Sequence, residues 1–311
     1  MKKRTKIILI LLTIIIGWFL VYQMINFAQN KESREQQKAT EQKVNNLILK
    51  RLEENVNTNI AQDPFGEDNT IKLLLIGLDS RTGETIGHCD AIQMIEINKE
   101  QKYINITAVP RGTYSPLPGT GYEPSDYYIA NACGIVGLDY GIERIEKVLG
   151  QKADYLIVIG FSEVLGILRD LKLPTTETLQ WLRNRQGFAI GEPQRAHNHS
   201  TFIKQMLIKY FAEEQSKLDK AWQYLIYKTI DTDLSYAQAQ TITEAIYNMS
   251  LENSDWRIKT FIQPEFPVTD IIYDEENLTE QLDRITIHDA NRLPENSYSG
   301  SSAEEIQENI Y

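Results

Sequence analysis

The chain has 311 residues, 42% of them hydrophobic and 24% charged, with a formal net charge of −11. That composition is ordinary for a globular protein of one or two domains, and the acidic balance argues against a broad nucleic-acid-binding face. Two cysteines, Cys89 and Cys133, are too few for a disulfide framework, and no Cys/His cluster has zinc spacing.

Residues 1–6 carry Lys2, Lys3, Arg4 and Lys6, and removing them leaves the rest of the chain at −15. Any anion site in so acidic a chain has to gather its arginines locally. Residues 7–27 follow as an apolar run, long enough for a helix crossing a ~30 Å hydrocarbon core. The basic flank predicts a cytoplasmic N-terminus and an exported remainder. Asn26-Phe27-Ala28 is a poor signal-peptidase site, so the run reads as an uncleaved anchor. Residues 28–66 are rich in Gln, Glu, Lys and Asn and read as a helical or loose stalk. A domain is expected over 67–275, then a polar tail over 276–311.

Within the domain, Ile71–Leu78 is a near-continuous apolar run that predicts a buried strand. Further strands are expected at Ala91–Ile97, Tyr103–Val109, Leu156–Ile159 and Arg257–Gln263. Helices are expected at 129–149, Ser162–Asp170, Thr175–Arg185, Ala196–Phe211, 216–229 and 235–249. Ser115–Tyr128, rich in Pro, Gly and Tyr, and Gln186–Pro193 read as loops. Strands interleaved with helices predict an α/β fold, a mixed central sheet with helices on both faces.

Three places hold polar residues that a strand scaffold does not need. Gly77-Leu78-Asp79-Ser80-Arg81 follows the first strand, where α/β sheets form ligand crevices. Gly87-His88-Cys89-Asp90 leads into the second. Asp79 and Asp90 together suit Mg²⁺, which takes one or two carboxylates with substrate phosphates. The third place is a set of arginines: Arg111, Arg183, Arg185 and Arg195, the residue type that pairs bidentately with phosphate. Taken singly, each also reads as a turn or surface residue. His197-Asn198-His199 is a lone H-x-H of the kind found on surfaces and helices.

In their order these pieces resemble the LytR-CpsA-Psr family of membrane-anchored cell-envelope glycopolymer phosphotransferases. The resemblance runs over roughly 70–265. It rests on Leu73–Arg81, Gly87–Asp90, Ile106–Tyr114, Ile129–Cys133, Ala153–Phe161, Arg183 with Arg185, and Gly191–Arg195. It implies transfer of a glycopolymer from a polyprenyl (pyro)phosphate carrier to a peptidoglycan hydroxyl, assisted by Mg²⁺. By position, Asp79, Asp90, Arg111 and Arg195 would be catalytic, with Asp79 and Asp90 holding the metal. Arg81, Arg111, Asn131, Arg183, Arg185, Glu192 and Arg195 would bind the pyrophosphate. If both segments belong to one site, Cys89 and Cys133 come close; they are then a disulfide or two small buried hydrophobes.

This chain departs from the family pattern at His88, Gly112, Ile129 and Asn198. The family usually has Arg, Asp, Lys and Arg at those places. Two other readings therefore stand beside the enzyme: a degenerate member that binds lipid-linked glycan without turnover, and an unrelated anchored adhesion or assembly module.

Overall fold

The computed structural model describes residues 35, 38–53, 63–79, 87–170, 172–183, 192–211, 224–251, 256–263 and 293–294. The expected membrane helix at 7–27 lies outside the described residues, as do Arg81, Arg185 and all of the tail but Leu293 and Pro294. Among the described residues no helix is long and apolar enough to cross a membrane.

Seven strands form one mixed sheet: β1 (Thr70–Asp79), β2 (His88–Asn98), β3 (Tyr103–Ala108), β4 (Tyr155–Gly160), β5 (Asp231–Thr232), β6 (Ile258–Ile262) and β7 (Leu293–Pro294). Their spatial order is β5-β4-β1-β2-β3-β6-β7. β1, β2 and β3 make an antiparallel meander, while β4 joins β1 and β6 joins β3 in parallel. The C-terminal ends of β1 and β3 and the N-terminal end of β2 thus meet at one edge of the sheet.

The apolar run in β1 is buried on both faces. Leu74, Ile76 and Leu78 join Ile92 and Met94 on one face, against α2 (Ile129–Ile135) and α3 (Leu138–Leu149). Ile71 and Leu73 join Ile95, Ile104 and Ile106 on the other, against Ile242 and Ile246 of α8 (Tyr236–Tyr247). Burial of each such side chain contributes about 1.5–3 kcal/mol as an upper estimate. The helices α4 (Phe161–Asp170), α5 (Thr175–Arg183) and α6 (Glu192–Phe211) follow β4, and a short helix α7 spans 224–229.

The single helix expected over 129–149 is two helices. Gly137, with φ 148°, sits between them in a conformation that glycine alone adopts readily. α6 begins at Glu192 rather than Ala196, and Pro193 fits its first turn because the N–H it lacks has no helical acceptor there.

Residues 38–53, within the expected stalk, form helix α1. Val44, Leu47 and Ile48 are buried in the same core as α2 and α3. The spacing of these three residues puts them on one face. Arg51 closes the contact: its Nε donates to Asp233 Oδ2 at 2.6 Å, while Asp233 Oδ1 accepts the N–H of Leu156 at 2.7 Å.

Candidate functional site

The site is built on an irregularity in β2. Gly77 pairs with Ala91 and Leu78 with Cys89, so Asp90 is an extra residue opposite the join. A bulge of this kind re-aims side chains. Ala91 and Gln93 face one side of the sheet, and Ile92 and Met94 the other. Strict alternation would send Asp90 toward Ile92. The bulge turns it to the Ala91 side and delivers Cys89 to the opposite core. Gly77 permits the close pairing, since a Cβ there would lie 2.9 Å from Ala91 Cβ.

Each residue is then used on its own face. Cys89 is disulfide-bonded to Cys133 of α2, with Cα atoms 6.0 Å apart. Gly141 of α3 leaves room for the bond, because a Cβ there would fall 2.3 Å from Cys133 Sγ. Asp90 accepts a hydrogen bond from Arg111 Nη1 at one carboxylate oxygen. Arg195 Nη1 stands 3.8 Å from the other, and Arg195 Nη2 donates to the Asp90 backbone carbonyl at 3.1 Å. The Arg195 side chain is only 6% exposed. Asp90 is thus a carboxylate between two guanidiniums, drawn from β2, the loop after β3 and the start of α6.

Arg195 is placed by residues that sequence reading passes over. Gln93, fully buried in β2, donates to Ala196 O at 3.2 Å and accepts from Ser200 Oγ at 2.7 Å. These bonds pin the first turns of α6 to the sheet. A glutamine amid the apolar residues of a buried strand was the available signal. His199, one turn past Arg195, donates from Nε2 to Leu182 O at 3.0 Å, the roles following from the carbonyl acceptor. Burial, and next the neighbouring Arg195 charge, push its pKa down to about 4, so it is neutral near pH 7.

An apolar cavity of about 230 Å³ opens beside this group. Its walls are the Leu75–Gly77 face of β1, Val164 and Ile167 of α4, Leu179 and Leu182 of α5, and Phe202 of α6. Asp79, Asp90 and Arg195 supply its charged lining. Asp79 reaches it from the last position of β1, on the same face as Leu75 and Gly77.

The structure therefore brings together Asp79, Asp90, Arg111 and Arg195. Asn131 stands behind them: Ala130 N donates to Arg111 O at 3.2 Å, and Asn131 Nδ2 turns away to Ser125 O at 2.6 Å. Arg183 ends α5 and Glu192 begins α6, the two helices that flank the cavity. Among the described residues no group of three or more His, Cys, Asp or Glu side chains is arranged for a metal. The two carboxylates in the cavity lining are Asp79 and Asp90, and Asp90 faces Arg111 and Arg195 with its two oxygens.

Comparison with known proteins agrees with this architecture. The LytR_cpsA_psr family profile matches residues 21–168. TagT of Bacillus subtilis (strain 168), a polyisoprenyl-teichoic acid–peptidoglycan teichoic acid transferase, is 30% identical over 129 residues, 40% of this chain and 38% of TagT. TagU of Bacillus cereus (strain AH820), described in the same terms, is 25% identical over 138 residues, 43% of each chain. The match thus spans about two fifths of these relatives' length. The crystal structure of B. subtilis TagV superposes with a TM-score of 0.52 at 14% identity, over 70% of this chain and 99% of that one, which is a likeness of fold. Over residues 21–168 the chain is similar to the LytR-CpsA-Psr family.

Proposed function

We propose that this protein is a membrane-anchored phosphotransferase that moves a glycopolymer, with its phosphate, from a polyprenyl (pyro)phosphate carrier to a cell-wall hydroxyl. One observation carries the reading: an apolar cavity ends at Asp90 held between Arg111 and Arg195. Apolar walls suit a lipid chain and the guanidiniums suit its phosphates. The acceptor oxygen forms a new P–O bond and the P–O bond to the carrier breaks. The carrier leaves as its monophosphate, and the hydroxyl proton passes to water or a mouth carboxylate. Positioning and charge neutralisation supply most of the acceleration in such transfers. Asp79 and Asp90 would hold Mg²⁺, which would neutralise phosphate charge in the same place. Arg81, Arg183 and Arg185 would extend the phosphate contacts, with Glu192 and Asn131 supporting them.

In this reading residues 7–27 span the cell membrane, the N-terminus is cytoplasmic and the domain faces outward. The Cys89–Cys133 bond supports that placement, since disulfides persist in oxidising compartments. The test uses the full chain in detergent with Mg²⁺, a polyprenyl-pyrophosphate glycan and a peptidoglycan acceptor, following release of lipid phosphate. Slow release, lowered about 10²–10³-fold by Arg111→Ala, is the expected result. Lipid bound without release would favour the binding-only reading, for which the absence of a carboxylate at Gly112 is the specific observation. No lipid bound at all would defeat both.

A further inference from the structure

A second cationic feature lies on the other side of the sheet. Arg144 of α3 is 7% exposed, and its Nε is buried without an acceptor. It forms no ion pair among the described residues. Its neighbour Glu143 points outward and faces Lys147 at 3.8 Å. Buried charges in folded proteins are normally paired, and an orphan N–H calls for an explanation.

What surrounds Arg144 is aromatic. It is close enough to Tyr114 and Tyr140 to oppose the rise that burial causes in the pKa of both hydroxyls. Tyr140 Oη donates to Pro116 O at 2.6 Å, tying α3 to the Ser115–Tyr128 loop. The loop supplies two more rings. Tyr127 stacks on Tyr114 with centroids 5.8 Å apart, and Tyr122 meets Tyr127 edge-on at 6.0 Å. Tyr122, Tyr127 and Tyr140 are each part-exposed. This group sits under the loop that follows Arg111, so it shares the sheet edge with the crevice while facing the other way.

We propose that Arg144 and these tyrosines form a second binding site, for a carboxylate-bearing saccharide. The guanidinium pairs with the carboxylate, and the rings of Tyr122 and Tyr127 lie against the sugar. A monoanion fits better than a phosphate dianion, because Arg144 is the one buried cation here and the acidic Asp139 and Glu143 lie exposed on the same helix. The inference concerns binding and stands apart from the phosphotransferase reading.

The experiment titrates the full chain in detergent with three probes: an N-acetylglucosamine–N-acetylmuramic acid disaccharide, neutral chitobiose and glycerol phosphate. Tyrosine fluorescence and calorimetry report binding. The carboxylated disaccharide is expected to bind about tenfold tighter than chitobiose. Arg144→Gln removes that preference at unchanged Tm, Arg144→Lys restores part of it, and Tyr122→Ala weakens both sugars. Equal binding of the disaccharide by wild type and Arg144→Gln, no binding by wild type, or preference for glycerol phosphate each overturns the proposal. Should Arg144→Gln fail to fold, the wild-type preference and Tyr122→Ala decide. Arg144-dependent sugar binding without lipid phosphate release would sink the phosphotransferase reading alone; release without sugar binding would sink this one alone.

Discussion

Arg195 holds Asp90 twice, donating to its backbone carbonyl at 3.1 Å while standing 3.8 Å from its carboxylate. The residue that would neutralise substrate charge is thus also part of what fixes the carboxylate beside it. In the phosphotransferase reading, loss of Arg195 would carry both a catalytic and a positional cost, whereas Arg111 contacts only the carboxylate.

Arg111→Ala should lower lipid phosphate release by about 10²–10³-fold, the usual effect of removing one preorganised charge-stabilising donor. Arg111→Lys should recover little of it, because an ammonium cannot reproduce the fork of a guanidinium. Initial rates with the proteins matched by circular dichroism check both, and a rate within twofold of wild type for Arg111→Ala would remove Arg111 from the chemistry.

Cys133→Ala should destabilise the domain by about 2–4 kcal/mol, the range for losing a bond that closes a loop of this order; the two cysteines are 44 positions apart. Urea unfolding measures the change. Release should fall further than stability accounts for, since Asp90 is next in the chain to Cys89. Equal rates in oxidised and reduced wild type, at a temperature where both are folded, would contradict this.

Arg51→Ala should cost about 3 kcal/mol, because among the described residues it leaves the fully buried Asp233 carboxylate with the Leu156 N–H as its remaining hydrogen bond. A shift in Tm and faster proteolysis ahead of residue 63 are the readouts. If residues 38–53 were a solvated stalk instead, the substitution would be silent.

His199 gives stability a pH dependence with a definite sign. Its folded pKa is about 4, below the ordinary value of 6.5. Between those values the unfolded chain binds a proton that the folded one does not, so stability falls as pH drops from about 6.5 towards 4 and is flat above. His199→Gln should flatten that slope in denaturant melts from pH 4 to 7, while an unchanged slope would assign it to carboxylates elsewhere.

Much of the architecture was legible in the sequence because it rests on local pattern. The β1 run, the α3 face of Leu138, Ile142, Ile145 and Leu149, and the order of the polar pieces all lie within short windows. What stayed hidden depends on pairing between distant residues. The Asp90 bulge exists only relative to β1, and the cavity takes its lining from six separate elements. The docking of α1 rests on three apolar residues in a polar stretch and on an ion pair spanning 182 positions. Gly137 was visible, but whether a glycine interrupts a helix depends on what packs either side of it.

The bulge has one more consequence. A slip of a single residue in β2 exchanges its two faces, so a misregistered strand would carry Cys89 away from Cys133 and Asp90 away from its arginines at the same time. The bond can close only in the register that points the carboxylate into the crevice. Closure of the bond then acts as proofreading: a molecule whose thiols have joined is one whose crevice edge was assembled correctly.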